Sequence, residues 1–161
     1  MIVQIDPKLL IYDRSFQQLC KKPYYGHSKG CPNFGKKEGC PPSPLLDDVF
    51  DLGAEMFVIY TSFNVGEFAE KMRVSHPEWQ NHPRQWYNPR RWQPKARKEH
   101  KIELEKFISE YGLDIDKCPE ARGINVSRMM MDVSVDLSWG WPPEHNLSNL
   151  TYIVSVGGSK L

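Results

Sequence analysis

Four cysteines are the residues of this chain best suited to chemistry: Cys20, Cys31, Cys40 and Cys118. The first three share one stretch, C-KKPYYGHSKG-C-PNFGKKEG-C-PP, with ten residues between the first pair and eight between the second. Cys31, Cys40 and Cys118 are each followed by proline, which fixes φ, removes a backbone N–H and turns the chain sharply away from the thiol. Glycines between them let the backbone wrap closely round a compact object. An even number of cysteines could form two disulfides in an exported protein; in a reducing compartment such thiols bind metal or act in catalysis. Structural zinc sites draw on closely spaced C-x2-C pairs, and this chain has none. Wider spacing suits a [4Fe–4S] cube, which takes four thiolates. A [4Fe–4S] cluster on these four cysteines is therefore the expected cofactor, with zinc as the alternative.

The stretch CPNFGKKEGCPPSP, from Cys31 to Pro44, resembles the C-x2-[YF]-G-K-x3-CPP signature of the DUF2284 family, described as predicted metal-binding, iron–sulfur proteins. More weakly, Cys118-PEARGINVSRMMMDVSVDL is similar to that family's later cysteine with its proline, arginine and following helix, and LTYIVSV is placed like its closing strand. The resemblance implies an α/β domain with one cluster held from both ends of the chain. Two departures bear on it. The stretch GLDIDK before Cys118 lacks the further cysteines of the pattern, so one cluster is the most the chain could hold. Cys20 lies further from Cys31 than the pattern asks; without it, three thiolates would leave one iron open to substrate.

A second feature is the basic, tryptophan-rich segment RQWYNPRRWQPKARKEHK, from Arg84 to Lys101, with seven Lys or Arg and only Glu99 acidic. Cations meet phosphates and flat rings stack on bases, so Arg84, Arg90, Arg91, Trp92, Lys95 and Arg97 are candidates for gripping nucleic acid or another anion. The competing reading is a structural loop over residues 76–98, or a surface that docks a redox or enzyme partner. The near-repeats His76-PEW and His82-PRQW favour aromatic packing in that loop over metal ligation. Met129–Met131 point to different faces of a helix and read as core. There is no P-loop, dinucleotide turn, H-E-x-x-H or G-x-S-x-G motif, and no recognisable acid–base pair.

These residues must be positioned by one domain, since 161 residues are enough for a single core. The net charge of +1 provides no global field for nucleic acid or membrane. The N-terminus lacks the pattern of a signal peptide and no apolar run could span a bilayer, so a cytoplasmic location without membrane partners is expected. Ile2–Ile5 reads as a strand and Asp13 as the cap of a short helix to Leu19. The cysteine loop over 20–44 has no period of either kind. Ser43 and Pro44 read as the cap and first residue of a helix carrying Leu45, Leu46, Val49 and Phe50. Glu55–Ser62 reads as a buried central strand and Val65–Val74 as a helix. Lys95–Tyr111 is the clearest helix, ended by Gly112. Asn125 caps a helix to about Leu137, Trp139–Pro143 forms a rigid turn, and Leu150–Val156 is a last strand closed by Gly157 and Gly158. The expected fold is α/β or α+β: one compact domain with a small mixed sheet flanked by helices and a long cysteine-bearing loop.

Overall fold

A computed structural model describes residues 1–23, 27–137 and 150–161. Its centre is the apolar run read from sequence, now strand β2 (Met56–Asn64). β2 pairs antiparallel with β1 (Ile2–Ile5) on one side. On its other side it pairs with the C-terminal strand Leu150–Gly158 over nine residues. That strand, β4, in turn pairs with the short β3 (Asp114–Asp116), giving the order β1-β2-β4-β3 with every pairing antiparallel. Helices and an antiparallel sheet share one compact fold, as the mixed pattern of elements implied.

β2 is apolar throughout its first half because both of its faces are covered. Met56, Val58 and Tyr60 face a core with Leu46, Phe50, Met129, Met130 and Val156. Phe57 and Ile59 face Leu104 and Phe107. The latter two lie on the long helix Pro89–Tyr111, which crosses this face of the sheet; it is α3, after α1 (Arg14–Gln18) and α2 (Val65–Ser75). The last described helix, α4, is Val126–Asp132. Asn64 ends β2 and caps α2 in one step, accepting from Glu67 N at 2.8 Å.

Four expectations about boundaries are corrected. α3 begins at Pro89, six residues before Lys95, because Asn88 accepts from Arg90 N and Pro89 takes the first position, leaving Pro94 inside the helix. Residues 89–98 of the expected loop are thus helical. The buried stripe of α3 is Trp92, Ala96, His100, Leu104 and Phe107, while Ile108 stays half exposed. Ser43 caps nothing: its hydroxyl donates to the Ala121 carbonyl, and Leu46–Asp48 makes only one 3-10 turn. Helix α4 stops at Asp132 rather than Leu137, with Ser134 at φ +62. Gly157 and Gly158, expected to close β4, are its last paired residues. The expected turn at Trp139–Pro143 lies outside the described residues.

At the centre of the α3 face sits a polar triplet. Buried His100 meets the Thr61 hydroxyl at Nδ1 (2.9 Å) and the Ser155 hydroxyl at Nε2 (2.8 Å), tying α3 to β2 and β4. Burial above all, helped by the positive N-terminus and Lys117, pushes its pKa down to about 4, so the ring is neutral at pH 7.

Candidate metal centre

Cys20 lies in the turn that follows α1, Cys31 and Cys40 in the loop beyond it, and Cys118 between β3 and α4. All four are free thiols. What brings segments so distant in sequence together is the side chain of Gln17, on α1, which is 1% exposed. Its Nε2 donates to the Ser43 carbonyl at 2.9 Å and to the Ala121 carbonyl at 2.8 Å. Gln17 precedes Cys20 by three residues; Ser43 and Ala121 follow Cys40 and Cys118 by three. One buried amide therefore fixes a point on each of the three cysteine-bearing segments.

Further bonds tighten this platform. Arg122 donates from Nε to Asp116 and from Nη1 to the Pro44 carbonyl (3.1 Å), joining the Cys118 segment to the end of the cysteine loop. Asp116 also accepts from the backbone N–H of Cys118 at 2.8 Å. The Asp13 N–H donates to Gly123 O, and the Asn125 N–H to Ile11 O, pressing the start of α4 against the chain before α1. Within the loop, the Cys31 N–H donates to Cys20 O at 2.7 Å and the Gly35 N–H to Pro41 O at 2.7 Å, closing two turns upon each other.

The thiols consequently feel one another. The Cys20 thiol is pushed up by burial first, then by Cys31, Glu120 and Cys40. That of Cys118 is pushed up by burial first, then by Glu120, Asp116 and Cys40, against the pull of Lys37. Cys20, the ligand the sequence left least secure, has both loop cysteines as electrostatic neighbours. Glu120 is the residue the sequence missed. Its carboxyl is itself raised, by the protein crowding it and then by Asp116. Glu120 and Cys118 both keep exposed surface. The Glu120 carboxyl is thus an electrostatic neighbour of both Cys20 and Cys118 and disfavours their ionised forms. Among the described residues, however, no three His, Cys, Asp or Glu side chains are disposed to hold a single metal ion.

Part of the basic segment packs against its own fold. Trp92 is only 6% exposed, stacks on Phe63 (5.9 Å between ring centres) and donates its Nε1 to Tyr87 O. It has no face left for a base, which removes it from the anion-binding candidates. Arg91 lies over the Trp79 ring at 4.3 Å, and that ring also stacks on His76 at 3.9 Å. Lys95 lies over Phe68, and Arg97 bonds Gln93. Arg84 and Arg90 are exposed. Two of the cations, Arg91 and Lys95, thus cover aromatic rings of their own fold.

No family model, no curated protein and no solved structure matches the chain. The likeness around Cys31–Pro42 rests on those residues alone. Among the described residues no helix is long and apolar enough to cross a membrane.

Proposed function

We propose that this chain is an iron–sulfur protein that holds a [4Fe–4S] cluster on Cys20, Cys31, Cys40 and Cys118, and works by electron transfer or cluster-based chemistry in the reducing cytosol. The observation that supports this reading most is the Gln17 amide, which ties together the three segments that carry the cysteines. A polar side chain buried to 1% is costly unless it is bonded, so its place at this crossing is specific. The donor set fits in kind and number, since four thiols are what such a cube takes.

Bound there, the cluster would supply one-electron chemistry. The chain's own contribution is placement. Gln17, Ser43 and Arg122 hold the three segments, Asp116 orients the Cys118 backbone, and Glu120 and Lys37 set the local charge.

The test is iron and sulfide quantification, with a visible spectrum, on anaerobically purified protein. About four irons and four sulfides per chain are expected, and Cys31→Ser and Cys40→Ser should each lose most of them. Stoichiometric zinc without sulfide would replace the cluster by zinc. Full retention of metal in both variants would end the reading.

A further inference from the structure

We propose that Cys20 and Cys31 are a built-in dithiol pair, the site at which the metal-free protein is oxidised first. This rests on the cysteine neighbourhood described above, but not on a metal being bound there. The Cys31 N–H meets the Cys20 carbonyl at 2.7 Å. Given the bond lengths of the peptide unit, that contact puts the two α-carbons at most about 6.6 Å apart. Disulfides span α-carbon distances of about 4.4–6.8 Å. The pair thus satisfies the distance requirement with the backbone as it stands. Both residues are partly exposed, so a small disulfide can reach them.

The close approach is secured by Gly30. Its φ is +76, and a β-carbon there would come within 2.7 Å of Cys20 O and of the Lys21 carbonyl group. Any larger residue would force the two strands of this turn apart. Cys40 and Cys118 have no such backbone link between them among the described residues. Their segments meet through Gln17, Ser43 and Arg122 instead.

The oxidant is a small-molecule disulfide, and the step is thiol–disulfide exchange. One cysteine loses its proton and its thiolate attacks a sulfur of the oxidant, forming a mixed disulfide and releasing one thiol. The second cysteine, as thiolate, attacks the protein sulfur of that mixed disulfide and releases the second thiol. Two protein thiols and one disulfide become one protein disulfide and two small thiols. Oxidised in this way, the chain keeps only two thiols and cannot offer four ligands to a metal.

The full chain, stripped of metal with a chelator, is treated with oxidised glutathione, quenched by alkylation at intervals, digested without reduction and mapped by mass spectrometry. The linked Cys20–Cys31 peptide should form first. Gly30→Ala should slow its formation about tenfold, a geometric effect of widening the approach. Gly35→Ala is the control: it is also a left-handed position (φ +68), yet a β-carbon there meets nothing within 4 Å, so it should leave the link intact. A different pair linking first, lasting glutathione adducts on both Cys20 and Cys31, or an unchanged rate in Gly30→Ala would each overturn the proposal. Because the protein is metal-free, the result is independent of whether iron binds.

Discussion

The ring of Phe107, fully buried on α3, occupies the space that a β-carbon on Gly157 of β4 would need. Across the ladder Gly157 faces Phe57, whose ring meets Phe107 edge-on at 5.3 Å. The glycine is the gap through which α3 seats on the sheet. Gly157→Ala should destabilise the fold by about 1–3 kcal/mol, the range for overpacking a core. Urea unfolding should show a lower midpoint, with partial recovery when Phe107→Leu is added.

His100 gives the fold a pH dependence. Its folded pKa, about 4, lies below the 6.5 of an exposed imidazole, so the unfolded chain binds the proton more readily between these values. Its contribution is therefore complete above pH 6.5 and is lost as pH falls towards 4. The loss is at most about 3 kcal/mol from this group. Unfolding free energies measured from pH 7.5 to 4 should fall in the wild type and fall less steeply in His100→Gln.

Gln17→Leu keeps bulk but removes both donors, leaving the carbonyl of Ser43 short of a partner. The expected cost is about 1–3 kcal/mol, that of stranding the Ser43 carbonyl, because Ala121 O keeps the Ser43 hydroxyl. Iron retained after anaerobic purification should drop with it. Gln17→Glu keeps the shape but is acceptor-only when ionised, so at neutral pH it should cost at least as much as leucine.

Trp92→Ala should act through stability, by about 3–5 kcal/mol as for a buried aromatic. By contrast, Arg90→Gln should stay within about 0.5 kcal/mol, as at an exposed site. Thermal melts of both variants check this. Equal effects would mean that Trp92 is not the pin holding α3 to Phe63.

The strands and caps were legible where local chemistry decides the outcome. Ile2–Ile5, Asp13, the apolar run of β2 and the stop at Gly112 follow from period and capping alone. The early start of α3 was hidden by Pro94, which reads as a helix opening yet is tolerated inside the helix once Asn88 and Pro89 have started it. The four thiols were visible as residue types, but their meeting point was not. Gln17 sits in a short polar helix with nothing in its neighbours to mark it as buried, and its partners lie 26 and 104 residues away. Glu120 matters only through what surrounds it in space, which no spacing encodes.

The crossing at Gln17 also dictates an order of assembly. Three of the four cysteines leave the ribosome within the first quarter of the chain, but the acceptor at Ala121 follows some eighty residues later. Until then Gln17 has only Ser43 to bond, and the segment from Asp116 to Arg122 is still unmade. A loop of that length closes slowly and late, since its entropy must be met before the contact rewards it. A fragment that stops before β3 would hold three of the cysteines without the Ala121 acceptor beneath them. The full Gln17 crossing can therefore close only after the segment from Asp116 to Arg122 has been made, long after the early cysteine loop.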